Sequence, residues 1–229
     1  MAEVKMQKSQ MPGMPVPQNV VVYIDGFNLY FGIRSSGLGR YLWLDLCSFA
    51  KSLLRDGQRL SAVKYFTSRV ASPESKRKRQ AAYLDALNAL DPSLLSISYG
   101  NYQLSLFTCQ KCGVPSDIYS EKQTDVNIAV AMLTDAFQGR FDVALLVSAD
   151  SDLCPAVSSI RSLFPTKQVV ACFPPGRASK ELSSVSSACY TIGRGKLSQN
   201  QLPRSVNLAS GFELIKPALW DSVDYQKRH

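Results

Sequence analysis

Two short runs of uninterrupted apolar residues, Val20–Ile24 and Val143–Val147, set the frame of this chain. Each is β-branched or leucine-rich, bounded by polar residues and too short for a helix, so both are predicted to be buried strands. The first, Asn19–Ile24, runs into the turn signal Asp25-Gly26, and the second, Asp142–Ser148, runs into Ala149-Asp150-Ser151-Asp152. Ala62–Ser68 and Lys167–Phe173 read as further strands, with Tyr190–Ile192 a short last one. Leu95–Tyr99 and Gln103–Phe107 also read as strand, broken around Gly100-Asn101 and followed by a loop containing Cys109 and Cys112.

Helical periodicity fills the intervals. Asp45 is placed to cap a helix whose Leu46, Phe49, Ala50, Leu53 and Leu54 share one face. Ser72-Pro73-Glu74 starts another, with Tyr83, Leu87 and Leu90 as its buried stripe. Thr124–Gln138 is apolar over much of its circumference and is expected to lie deep, ending at Gly139. Helices are also predicted from about Asp152 to Leu163 and over Ala178–Ala188. Strands alternating with helices predict a single α/β domain: a mainly parallel central sheet, Rossmann-like, with helices on both faces. Residues 1–18 have no hydrophobic period and read as a flexible arm. The domain proper spans 19–193, and 194–229 is a C-terminal extension expected to pack on it.

Composition narrows the chemistry. The 229 residues carry 26 lysines and arginines against 18 acids, a net charge of +8, which favours a polyanionic partner. No apolar run approaches the roughly 20 residues of a membrane span. The first 18 residues lack the apolar stretch of a signal peptide, so a cytoplasmic protein with reduced thiols is expected. The one histidine is His229, which excludes catalysis by an internal histidine. Hydrolytic chemistry would have to come from carboxylates, a serine with lysine, a thiolate without histidine, or a metal.

In parallel α/β sheets, reactive groups gather outside the carboxyl ends of the strands, where strand order reverses. Asp25 ends the first strand, Asp150 and Asp152 follow the strongest one, and Asp125 opens the apolar helix. Each has an ordinary reading as a turn residue, a cap or a dipole partner. Four carboxylates at one end of one sheet repel unless a cation joins them, and Mg²⁺ or Mn²⁺ takes oxygen ligands of this kind. Such a site activates water and stabilises in-line displacement at phosphorus. Asn28 follows Asp25 by three residues and could orient a carboxylate or a phosphate. Ser148 could bond a carboxylate from its strand end. Glu121 precedes Asp125 by four residues, so either the helix starts after it or a cation or Lys122 separates the two.

The segments Val21-Val22-Tyr23-Ile24-Asp25-Gly26-Phe27-Asn28-Leu29, Glu121-Lys122-Gln123-Thr124-Asp125-Val126 and Leu146-Val147-Ser148-Ala149-Asp150-Ser151-Asp152 together resemble the NYN domain family. NYN domains are relatives of the PIN nucleases, and the similarity is nearest to the LabA-like bacterial branch. The resemblance implies a PIN-like fold over 19–193 and an Mg²⁺- or Mn²⁺-dependent nuclease, most often acting on RNA and leaving a 5′-phosphate and a 3′-hydroxyl. It implies Asp25, Asp125, Asp150 and Asp152 as metal-binding and catalytic residues, with Asn28 assisting. Ala149 departs from the glycine more familiar before that aspartate.

Cationic side chains supply the expected nucleic-acid surface. Lys76-Arg77-Lys78-Arg79 occupies the first turns of a helix, where cations oppose the macrodipole, so local physics does not favour it; a phosphate-contacting protrusion fits, and a merely solvated face fits about as well. Between Lys167 and Arg204 stand six basic residues, including Arg177 and Lys180, against the single acid Glu181. With Lys122 these make the candidate contacts. Tyr30, Phe31, Tyr41 and Trp43 could stack unpaired bases. Cys109 and Cys112 have zinc-knuckle spacing without an evident second pair, so a structural zinc is less expected than reduced thiols, and the other cysteines are expected to be buried. The leading expectation is a metal-dependent endoribonuclease acting on single-stranded or structured RNA, with DNA and self-association left open. A nucleic-acid-binding regulatory protein with little catalysis and a small-nucleotide phosphohydrolase are the alternatives.

Overall fold

A computed structural model describes residues 16–108 and 115–221, and for 101–108 and 115–122 the backbone alone. The strands are β1 (Gln18–Asp25), β2 (Gln58–Ser68), β3 (Leu95–Thr108), β4 (Pro115–Lys122), β5 (Val143–Val147), β6 (Gln168–Phe173) and β7 (Ala188–Thr191). They form one sheet in the order β4-β3-β2-β1-β5-β6-β7, parallel throughout except for β4 at its edge. Between them run α1 (Gly26–Ser35), α2 (Leu46–Leu53), α3 (Glu74–Leu90), α4 (Thr124–Phe137), α5 (Cys154–Leu163) and α6 (Lys180–Val185). After β7 come α7 (Arg194–Ser198) and a small antiparallel pair, β8 (Ser205–Asn207) with β9 (Glu213–Ile215).

The alternation along β1 divides the core in two. Val20, Val22 and Ile24 point to the side covered by α1, α2 and α3, while Val21 and Tyr23 point to the side covered by α4 and α5. In β5, Val143, Leu145 and Val147 join the first set, and Ala144 and Leu146 the second. Both faces are therefore apolar, which is why these two strands read as continuous hydrophobic runs. The extension enters the first core as well: Leu197, Leu202, Val206, Leu214 and Trp220 are buried there. Trp43, fully buried, packs on Tyr83 and Trp220 at ring distances of 5.8 and 6.1 Å and donates from Nε1 to the Pro203 carbonyl at 2.7 Å. Base stacking by Trp43 is thereby excluded; its ring is spent on the core.

Several expectations are corrected. The chain after Asp25 is a helix, α1, because Asp25 caps it, accepting from the Asn28 N–H at 2.9 Å. β3 is unbroken at Gly100-Asn101; it changes partner there, pairing with β2 through Gly100 and with β4 from Asn101 onward. The residues expected to be loop before Thr124 form β4, whose two-fold pairing with the end of β3 is a long-range event invisible to local periodicity. α4 is not wrapped by protein on all sides. Ile128, Met132, Asp135 and Ala136 face the sheet, whereas Val126, Val130 and Phe137 are exposed, because no layer among the described residues lies outside the helix. Cys47 and Cys172 are buried as expected, but Cys154 is half-buried and Cys189 exposed, the latter on the edge strand β7. Residues 1–15, Cys109 and Cys112 lie outside the described residues.

Candidate metal centre and the adjoining cavity

Strand order places β5 directly beside β1, and the chain turns outward from this pair in both directions. The crevice at their carboxyl ends is the switch point of the sheet. Asp25 closes β1 there and continues the Val21–Tyr23 alternation, so its carboxylate lies on the α4 side. It is 4% exposed, while Asp125 and Asp150 are half-buried. One carboxylate oxygen from each of Asp25, Asp125 and Asp150 lies within 4.8 Å of those from the other two.

A short hydrogen-bonded chain makes this arrangement rigid. Ser148, fully buried at the end of β5, donates from Oγ to Asp25 Oδ2 at 2.9 Å and accepts from the Asp150 N–H at 3.1 Å. Asn28, on the first turn of α1, accepts from the Ala149 N–H at 3.2 Å. Asp150 also accepts from the Asp152 N–H at 3.0 Å, capping a single 3₁₀ turn, Ser151–Leu153. Ser148 thus bonds a carboxylate from its strand end, as expected, while the Asn28 side chain acts on backbone; together they tie the loop after β5 to the end of β1. Ser148→Ala is expected to weaken divalent-ion affinity by about 10- to 100-fold, as for outer-shell partners of ligating carboxylates. The accompanying stability loss is about 1 kcal/mol. Mn²⁺ titration followed by electron paramagnetic resonance, beside thermal denaturation, separates the two effects.

Asp125 arrives from the other side. α4 begins at Thr124, not before, because Gln123 adopts a left-handed conformation (φ 76°) that breaks the chain between β4 and the helix. Glu121 therefore belongs to a strand, and the like-charge conflict with Asp125 along one helix does not arise. Burial, and then the charges of Asp150 and Asp152, push the Asp125 carboxyl above the usual carboxylate range. Asp152 is exposed and is not one of the three converging residues, though its charge reaches Asp125.

This donor set fits a hard divalent ion. All three side chains offer oxygen, they come from three separate segments, and Asp125 carries the electrostatic penalty that a cation would remove. Asp25, Asp125 and Asp150 are the residues that could hold such an ion.

The basic run is divided by the helix it sits on. Arg77 and Lys78 reach back to Glu74 at 3.7 and 3.0 Å, both on exposed surface. Lys76 and Arg79, three residues apart and so on one face, instead line a cavity of about 180 Å³. Its other walls include Tyr30, Phe31, Tyr65, Tyr83 and Trp220. All but the exposed Phe31 belong to or pack against the core opposite α4, so the cavity lies across the sheet from the three carboxylates, and Gly26 and Phe27, next in sequence to Asp25, line it. Gly26 is required where α1 crosses β2: a Cβ there would lie 2.7 Å from the Phe66 carbonyl oxygen and 2.8 Å from the Tyr65 ring. Periodicity alone could have shown that Lys76, Arg79, Gln80 and Tyr83 share a helix face.

Arg177 packs in the loop after β6 against Gly32 of α1, and Lys180 is exposed at the start of α6. Tyr41 lies under Arg40 and Arg194, with centroid distances of 4.9 and 5.9 Å. The Lys122 side chain is outside the described residues. No described helix is long and apolar enough to cross a membrane.

A carboxylate the sequence reading passed over is the most buried acid of the α4 side. Asp135, 1% exposed, accepts from Tyr23 OH at 2.7 Å and pairs with Lys64 at 2.6 Å and Arg140 at 3.0 Å. Burial, then the bond to Asp135, drives the Tyr23 phenol far above its ordinary range. With every partner accounted for, Asp135 is a structural residue.

Comparison with known proteins agrees with this architecture. A Pseudomonas putida protein, 6-hydroxy-3-succinoylpyridine 3-monooxygenase HspA, is 28% identical over 241 aligned positions, covering 89% of this chain and 76% of that one. A solved structure of VPA0982, a Vibrio parahaemolyticus protein of unknown function, superposes with a TM-score of 0.50 at 15% identity, covering 86% of this chain and all of the other, a likeness of fold. The profile of the NYN domain matches residues 19–214, running past the expected boundary at 193 and into the extension whose side chains fill the first core. On that match, which takes in every element bearing the three carboxylates, the chain belongs to the NYN domain family.

Proposed function

We propose that this protein is a metal-dependent nuclease that hydrolyses RNA phosphodiester bonds. The convergence of Asp25, Asp125 and Asp150 at the switch point carries the reading. A divalent ion bound there supplies water activation and neutralises charge on the phosphoryl oxygens. The chain's own residues do the rest. Asp25 is immobilised by the Asn28 N–H and by Ser148, so its carboxylate is preorganised. Asn28 fixes the loop that presents Asp150, and Asp152 adds negative charge at the open rim. Lys76, Arg77, Lys78, Arg79, Lys122, Arg177 and Lys180 are the cationic contacts for the phosphate backbone, in keeping with the charge of +8.

The test is cleavage of a labelled single-stranded RNA, with matched DNA beside it, in Mn²⁺, Mg²⁺ or EDTA, by wild type and Asp150→Asn. Metal-dependent cutting at least ~10²-fold lower in the variant is expected, because losing a ligand costs no less than losing an outer-shell partner. Equal cutting by both proteins would reject the assignment. Salt-dependent RNA binding by both without cutting would replace the enzyme with the regulatory, RNA-binding protein. Turnover of mononucleotides alone would make it a phosphohydrolase.

The monooxygenase relative offers a second reading, oxygenation of a small ring-bearing acid, and the aromatic cavity beside Gly26 favours it. Dioxygen uptake with 6-hydroxy-3-succinoylpyridine and a two-electron reductant is its direct assay.

A further inference from the structure

Four successive cations in the opening turns of α3 are locally unfavourable, since the positive end of the helix dipole lies beneath them. Glu74 compensates two of them, Arg77 and Lys78. Lys76 and Arg79 have no carboxylate partner among the described residues, and these are the two that border the cavity. Lys76 is exposed and Arg79 half-buried, so they mark its mouth.

Inward from them Gln80 and Tyr83 have their polar groups engaged, while Trp220 Nε1 is buried with no hydrogen-bond partner among the described residues. Gln80 spends both ends of its amide, donating to the Ser68 carbonyl at 2.8 Å and accepting from the Val70 N–H at 2.7 Å. Tyr83 OH donates to the Leu44 carbonyl at 2.8 Å. The interior thus presents ring faces and aliphatic carbon from Leu44, Leu46, Tyr65, Tyr83 and Trp220. A cavity near 150 Å³ accepts a benzene ring, so about 180 Å³ is the size of one planar ring system. An apolar, aromatic interior with an unneutralised cationic mouth at a helix N-terminus is complementary to a ring that carries an anion.

We propose that this cavity binds a planar aromatic ring bearing one carboxylate or phosphate, the ring seated against Tyr65, Tyr83 and Trp220 and the anion held by Lys76 and Arg79. The ligand chemistry is shared by an unpaired nucleotide and by a small aromatic acid. The site is separate from the three carboxylates; it shares Lys76 and Arg79 with the proposed phosphate contacts but does not depend on cleavage. It is nonetheless joined to them, since Gly26 lines the cavity and follows Asp25 directly.

Saturation-transfer NMR and isothermal titration on the full chain in EDTA test it. One arm presents AMP and UMP with adenosine and uridine as uncharged counterparts. The other presents benzoate and 1-naphthoate with benzyl alcohol and 1-naphthalenemethanol. Ring protons of the anions are expected to receive saturation, with affinity about tenfold above that of the uncharged partners. Lys76→Ala/Arg79→Ala, at the cavity mouth and away from the core, should remove that tenfold advantage, while Asp125→Asn leaves binding unchanged. Binding confined to nucleotides assigns the cavity to an unpaired nucleotide, and binding confined to the carboxylates assigns it to a small acid. If neither class binds, if the double variant binds the anions as well as wild type, or if Asp125→Asn abolishes binding, the proposal is overturned. Because metal is absent, failure here leaves the RNA-cleavage test untouched, and the reverse also holds.

Discussion

Asp125→Asn is expected to raise the melting temperature of the metal-free protein at neutral pH and to abolish its further rise on adding Mn²⁺. The two halves of this result have one cause. In the folded protein, burial and the charges of Asp150 and Asp152 lift the Asp125 carboxyl above its ordinary range. A carboxyl whose folded pKa exceeds its unfolded value of about 3.9 favours the fold only while protonated. That contribution is complete below the unfolded value and is lost as pH rises through the raised folded value. At neutral pH the metal-free protein therefore holds a disfavoured carboxylate, which asparagine removes at nearly constant shape. The gain over wild type should shrink as pH falls through the Asp125 range and vanish below it. Divalent metal reverses the sign for wild type, because a cation makes the ionised form the favoured one, and protons then compete with it. Cleavage by the variant should drop at least ~10²-fold. Differential scanning fluorimetry from pH 4 to 8, with EDTA or Mn²⁺, reads out both halves. An apo melting temperature that falls on substitution would show that Asp125 is held by attraction and not by mutual repulsion.

Asp135→Ala should bring the largest loss of stability, about 3 kcal/mol, or roughly 10 °C in melting temperature for a chain of this size. The residue sits inside the sheet–α4 layer with three partners: Tyr23, Lys64 and Arg140. Arg140 has a 56% exposed side chain and can return to water, so little of the loss comes from it. Lys64 is 20% exposed and Tyr23 fully buried, and those two would be left with polar groups and no acceptor. Asp135→Asn keeps an acceptor for Tyr23 and should lose about half as much. The combination Lys64→Met with Asp135→Leu should recover the part of the loss due to Lys64, because a buried pair replaced by apolar side chains of similar volume costs little, but not the part due to the Tyr23 hydroxyl. Chemical denaturation of the metal-free variants measures all three. Metal affinity should be unchanged in each, which separates this carboxylate from the three at the switch point.

What could be read from the chain alone was what depends on neighbours in sequence. The strands β1 and β5 declare themselves because residues buried on both faces leave no polar alternation. The helix start at Asp45 follows from its capping carboxylate and that at Glu74 from the proline before it, both signals confined to a few residues. Asp25, Asp125 and Asp150 stood out for the same reason, since each lies at the end of an element that local pattern defines. Their meeting within 4.8 Å rests on β5 lying beside β1, a pairing across more than a hundred residues that no local spacing encodes. Long-range pairing also decided what was misread. β4 exists because the end of β3 outlasts its partner β2 and takes a new one. Val126, Val130 and Phe137 are exposed because none of the described residues packs outside α4, although their apolarity matches that of its inner face. Asp135 and Lys76 show the same division in opposite senses: composition marks both as surface charges, but the layer they enter buries the first among three partners and turns the second to the mouth of an aromatic cavity. Composition and period determine which elements form and what they carry; the distance between carboxylates and the surroundings of each charge are properties of the packed sheet, because they are set by which strands lie side by side.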